Sequence, residues 1–253
     1  MSNDFIDGFH FVFDRSDLIR SDLITHLELS GEAILIAVLI GLPLGVFLGH
    51  LHRFSFLAIN ISNLGRALPS LAVLAILLPF VGIGRTNVII ALVVLAFPPI
   101  LTNAYVAVDQ VDSDTVDAAK GTGLTPLQVL TRVEMPLALP LIFAGVRTSA
   151  VFVVATATLS GLFGGGGLGD IILNVESYSL SGVIGASYVL ILVTFAVQIL
   201  FIILERLVTP GGLGRPKRSG PRITRRPESQ GALAETPVDV PEQTAADADA
   251  VRS

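Results

Sequence analysis

Along this chain, long runs without Asp, Glu, Lys or Arg alternate with short clusters that carry the charge. The apolar windows cover residues 33–49, 67–84, 86–108, 148–169 and 177–204. Glu32 opens the first, and His50-Leu51-His52-Arg53 closes it. Arg66 and Arg85 bound the second, whose helix is predicted to begin as early as Phe56. Asp109 closes the third, Arg147 and Asp170 bound the fourth, and Glu205-Arg206 closes the fifth. A hydrocarbon core about 30 Å thick takes roughly 20 helical residues, so each window is of spanning size once its flanks are added. In lipid the backbone must satisfy its own hydrogen bonds, which selects helices over open strands. The apolar–polar alternation of a barrel is missing. The pattern predicts an all-α membrane protein with five, or six, transmembrane helices.

Composition agrees. Hydrophobic residues make up 52% of the chain, charged residues 15%, and mean hydropathy is +0.75. A soluble domain carries about a quarter charged residues, so a soluble globule is excluded. The net charge of −5 adds little, because the charges sit in a few segments. There is no cysteine, which excludes disulfides, thiolate nucleophiles and Cys-based metal sites. The first 32 residues lack the basic start and short apolar core of a cleaved signal, so the first window reads as a retained span. Gly41, Gly45 and Gly49 recur at four-residue spacing. That spacing predicts close helix packing, with a sliding surface as the alternative.

Lys and Arg set the orientation. They follow the first window (Arg53, Arg66), lie between the third and fourth (Lys120, Arg132, Arg147), and are dense from Arg206 onward. This predicts a multi-pass protein of the cytoplasmic (inner) membrane, with its N-terminus outside and its C-terminus in the cytoplasm. Residues 1–28 read as an outer-side amphipathic segment, with Leu18, Ile19, Leu23, Ile24 and Leu27 on one face. Residues 29–210 form the transmembrane region, with a cytoplasmic loop at 109–136. Residues 211–253 start basic and end rich in Ala, Pro, Asp and Glu, a composition expected to stay disordered.

The loop from Asp109 to Arg147 carries the most information. Ser113 or Asp114 is placed to cap a short helix. Gly121 and Gly123 break it. Thr125-Pro126 restarts a second helix, with Thr as cap and Pro in the first turn. Leu127, Val129, Leu130 and Val133 give that helix an apolar face, and Pro136 and Pro140 are expected to end it and begin the fourth span.

Asp117-Ala118-Ala119, three residues, Gly123, nine residues, then Val133-Glu134-Met135-Pro136 resembles the signature E-A-A-x3-G-x9-I-x-L-P of bacterial ABC importer permeases. Asp117 stands for Glu, Val133 for Ile and Met135 for Leu, each preserving charge or apolarity. The resemblance implies a type I ABC importer permease fold. It also implies that Asp117, Ala118, Ala119, Gly121, Gly123, Val133, Met135 and Pro136 belong to a coupling loop that docks on a separate ATPase. ATP and Mg would be held by that ATPase, with no cofactor in this chain. The implied partners are the ATPase, a second permease copy or paralogue, an extracytoplasmic substrate-binding protein and the lipid bilayer, with no nucleic acid. An ordinary surface helix-turn-helix is the competing reading.

Leu68-Pro69-Ser70-Leu71-Ala72, residues 79–84, 133–147 and 164–170 further resemble the permeases of the glycine betaine/carnitine/choline group. The likeness runs from about residue 29 to 207 and implies uptake of quaternary-amine osmolytes, that is, osmoprotection. Methionine-type and other amino-acid permeases are a more distant resemblance. A secondary transporter needs buried ionisable side chains for ion coupling, and the windows hold almost none. An enzyme needs a nucleophile, an acid–base pair or a metal cluster, and none is visible, so a non-catalytic subunit is expected.

Gly164-x-Gly166-x-x-Gly169 matches a dinucleotide fingerprint literally, but it follows a span and not a strand. It reads as an outer loop or a partial re-entry into the bundle. Arg147 is a candidate pathway charge, or the snorkelling cytoplasmic end of the fourth span. Tyr178 and Tyr188 are pathway candidates by cation–π chemistry, or members of the interfacial aromatic belt. His10, His26, His50 and His52 are too scattered to make a metal set.

Overall fold

A computed structural model of the protein describes residues 2–52, 56, 60, 65 and 67–208, and all the described elements are helical. The tail expected to be disordered and most of residues 53–66 lie outside the described residues. Helix α1 (Ser2–Asp14) leads into α2 (Ser16–His50). The amphipathic stretch 16–29 is helical, but no break separates it from the first span. Gly31 sits within the helix with open space around it, and the first proline is Pro43. At 1.5 Å per residue, α2 is about 50 Å long and outruns the hydrocarbon core.

Helix α3 (Ser70–Val81) lies within the second apolar window, and α4 (Arg85–Asp109) covers the third. Between them Gly82 and Gly84 adopt positive φ, and Asn87 Nδ2 donates to the Gly82 carbonyl at 2.9 Å. Arg85 there reaches Glu32 (2.6 Å) and Glu28 (3.4 Å) on α2. Four described helical segments are long and apolar enough to cross a membrane: Ser16–His50, Arg85–Asp109, Pro126–Phe163 and Val175–Val208, with Ser70–Val81 as a shorter apolar helix.

Helix α2 lies against α4 at backbone distance. A Cβ on Gly49 would come within 2.7 Å of the Tyr105 carbonyl oxygen, and Gly45 abuts the Leu101 carbonyl in the same way. The four-residue glycine spacing thus forms a packed seam. Leu29, Ala33, Ala37, Leu92, Ala96 and Ile100 continue it into the main core. Around Pro98-Pro99, Asn103 Nδ2 donates to the Pro99 carbonyl and Ser149 Oγ to the Ala96 carbonyl. The Ser149 bond ties α4 to the span after the loop, and both bonds lie on carbonyls at or beside the proline pair.

Helices α5 (Ser113–Gly121) and α6 (Pro126–Val129) form the loop after α4. A π-helical turn (Leu130–Glu134) joins α6 to α7 (Met135–Thr156), which tightens into a 3₁₀ segment (Ala157–Phe163). The fourth span therefore starts well before residue 148 and ends before the glycines. Gly164, Gly166 and Gly167 have positive φ and turn the chain into α8 (Leu168–Ile172). Helix α9 (Val175–Val208) follows, with a non-helical Ser179 (φ 61°) inside it. Its Gly182 and Gly185 receive α1, which the sequence reading missed.

Candidate functional site

The loop between α4 and α7 is built by local rules. Asp112, rather than Ser113 or Asp114, caps α5: its Oδ1 accepts from the Asp114 amide and its Oδ2 from the Thr115 hydroxyl. An N-cap needs extended backbone and a short acceptor, and Asp112 has both. Gly123 follows the end of α5 with φ +88° and donates its N–H to the Lys120 carbonyl at 2.9 Å. This is the left-handed closure that favours glycine after a helix. Thr125 and Gln128 form a reciprocal capping box, with Pro126 at the first helical position.

Pro136 sits in the first turn of α7, so it does begin the fourth span, but neither it nor Pro140 interrupts the helical run from α6. The wide turn Leu130–Glu134 ends two residues before Pro136, and the chain runs on as helix. A π turn accommodates the donor that proline lacks without breaking the rod.

The signature residues separate into a tip and a base. Asp117, Ala118, Gly121 and Gly123 are exposed, Ala119 is half-buried, and Val116 anchors α5 from beneath. Asp117 pairs with Lys120 at 3.3 Å on the surface. No heavy atom lies within 4 Å of where a Cβ on Gly121 or Gly123 would stand. Leu127 is 69% exposed beside them. At the base Val129 is buried and Val133 and Pro136 are half-buried. Met135 and Leu130 pack against Ala104, Val108, Ala138 and Ile142. The expected apolar face of the second helix is therefore split: Val129, Leu130 and Val133 turn inward, and Leu127 faces out.

The base is held by contacts that local sequence does not announce. Glu134, 1% exposed, lies 2.6 Å from His50 Nδ1 at the end of α2. His52 Nδ1, two residues on, meets Asp109 Oδ1 at 3.1 Å. One signal could have found the first pair. A lone carboxylate at the mouth of an apolar span needs a buried partner, and the nearby histidines offered one.

The pathway candidates are not brought together. Arg147 donates to Glu205 Oε2 at 2.9 Å, and both are half-buried. Tyr188 lines an apolar cleft with Phe5, Ile6 and Phe9. About 25 Å of helix separates Tyr188 from Glu205. Tyr178 borders a polar cleft of about 410 Å³ with Asp170 and Asn174. Burial raises the Asp170 carboxyl above its ordinary value. The glycine segment beside that cleft is folded into the bundle: Gly165 packs on Val88, Gly167 on His26, and Gly169 on the Thr158 carbonyl.

Comparison with known proteins agrees with the helical fold. Residues 41–211 match the family described as "binding-protein-dependent transport system inner membrane component". The choline transport system permease protein OpuBB of Bacillus subtilis is 36% identical over 76% of this chain and 89% of its own length. The glycine betaine/carnitine/choline permease OpuCB of the same organism is 35% identical over 74% of this chain and 87% of its length. The carnitine transport permease protein OpuCB of Listeria monocytogenes is 33% identical over 77% and 90%. Among solved structures, the inward-facing MetNI methionine ABC transporter aligns with a TM-score of 0.68 at 23% identity, covering 76% of this chain and 97% of that one. An amino acid ABC transporter aligns at 0.63 and 21%, covering 79% and 98%. These two show the fold, that of type I ABC importer permeases. The chain belongs to the family of binding-protein-dependent transport system inner membrane components.

Proposed function

We propose that this chain is the permease subunit of an ATP-driven importer of quaternary-amine osmolytes such as glycine betaine, choline or carnitine. The observation that carries the mechanism is the open tip of the α5–α6 loop, set on a buried base. An exposed Leu127 beside two glycines with free space around them is a surface suited to a partner. Asp117 adds a carboxylate for a charge-assisted contact. The partner is a separate ATPase that holds ATP and Mg, and this chain is the non-catalytic subunit. A second permease copy or paralogue and an extracytoplasmic binding protein complete the assembly. The N-terminus lies outside and the C-terminus in the cytoplasm, in keeping with the Lys and Arg distribution.

The substrate class rests on relatives named for choline, glycine betaine and carnitine, each at 33–36% identity over about three quarters of the chain. Tyr178, beside Asp170, borders the outer cleft that such a cation meets first. Arg147 braces α7 against α9 through Glu205. In cells lacking other uptake systems, labelled choline, glycine betaine, carnitine and methionine should be offered in turn. A quaternary amine should accumulate in an ATP-dependent way. Accumulation of methionine alone contradicts the substrate class and favours the amino-acid alternative.

A further inference from the structure

We infer that His50 and His52 form a clamp at the base of the α5–α6 loop that passes movement of the loop's tip into the α2–α4 pair. The inference rests on the coupling role proposed for that loop. The loop leaves α4 at Asp109 and re-enters the bundle at Glu134, and one short turn at the end of α2 holds both points. His52 takes positive φ (48°) within that turn. The two contacts differ in burial. The Glu134 carboxylate is 1% exposed and His50 21%, whereas the His52–Asp109 pair faces solvent.

A buried polar pair is a costly way to gain stability, because well-packed apolar residues of similar volume often do as well or better. What such a pair adds is a directional link between one atom on each element. The element on the far side is stiff. Gly45 and Gly49 bring the α2 backbone against that of α4, so a displacement at His50 moves both helices together. The loop thus cannot pivot about its ends. Its tip and the α2–α4 pair move as one lever. His50 and Glu134 are positioning residues: they touch neither cargo nor nucleotide.

The test uses the whole complex, purified with its ATPase and reconstituted in liposomes, with uptake and ATP hydrolysis read in the same vesicles. Glu134→Gln and His50→Gln should each lower uptake about tenfold or more while hydrolysis stays within about twofold. His52→Gln should have a smaller effect. The double variant should lose no more than either single one, as expected for groups acting as a unit. Unchanged uptake overturns the inference. So does a parallel fall in uptake and hydrolysis, which marks a merely structural pair, and so do additive losses in the double variant. If Glu134→Gln is not recovered from membranes, His50→Gln, whose ring reaches solvent, decides by the same criteria. Gly121→Leu separates the two readings. If it releases the ATPase while the clamp variants transport normally, only the clamp fails. If it leaves assembly and uptake untouched, the coupling reading fails.

Discussion

Two glycine clusters in this protein look alike in sequence and are opposites in space. Gly121 and Gly123 stand at the tip of the α5–α6 loop, with no atom near where a side chain would go. Gly161, Gly165, Gly167 and Gly169 stand where a side chain would strike, in turn, the Gly169 backbone, Val88, His26 and the Thr158 carbonyl. The second cluster has already used its lack of side chains to close the bundle. The first has kept its space open. A packed glycine reports on the fold, whereas the open ones leave room for the proposed partner near the exposed Leu127.

The largest effect should come from the closed cluster. A Cβ on Gly169 overlaps the Thr158 carbonyl oxygen, and overpacking of this kind costs about 1–3 kcal/mol or more. Gly169→Ala should reduce yield and lower the unfolding midpoint in detergent. A midpoint equal to that of the native protein would show that the loop is not locked. The next effect tests the open cluster. Gly121→Leu should leave the unfolding midpoint unchanged yet abolish recovery of the ATPase with the permease.

Two smaller predictions lie outside the glycines. Arg147→Gln breaks the half-buried pair with Glu205. Its cost should fall between surface and buried pairs, about 1–2 kcal/mol, measured by denaturant or thermal unfolding in detergent. Thr125→Ala removes the capping box of α6 and should cost about 1 kcal/mol. Native-state hydrogen exchange should report that loss in the loop's own amides, with α4 and α7 unaffected. A change spread through the bundle would mean that tip and base are not separable.

Much of this was legible in the sequence because it is written locally. Spans follow from the absence of charge over a run of residues. Thr125-Pro126 and Gly123 announce a helix start and a helix end, and the structure has both. What was not legible depends on distant partners. His50 and Glu134 are far apart in the chain, as are Arg147 and Glu205; the lone carboxylate of Glu134 called for a partner, but its neighbours in sequence did not say which. The crowding of Gly165–Gly169 was hidden for the same reason, since a glycine reads alike in free space and against His26. Helix α1 was missed because Asp4, Asp7 and Asp14 interrupt its apolar run. Phe5, Phe9 and Phe13, every fourth residue, were the signal for it, and Phe9 and Phe13 meet edge to face.

The open tip is proposed to meet an ATPase. The absence of cysteine makes the direct test simple. Ala118→Cys at the tip and Leu162→Cys beside the closed cluster each place one thiol on an otherwise Cys-free chain, and both positions are exposed. A thiol-reactive photo-crosslinker is attached in native membranes, and adducts are identified by mass spectrometry. A nucleotide-binding ATPase subunit should be joined to the Ala118→Cys chain and none to the Leu162→Cys chain. No ATPase adduct at position 118, or equal labelling from position 162, would contradict that proposal.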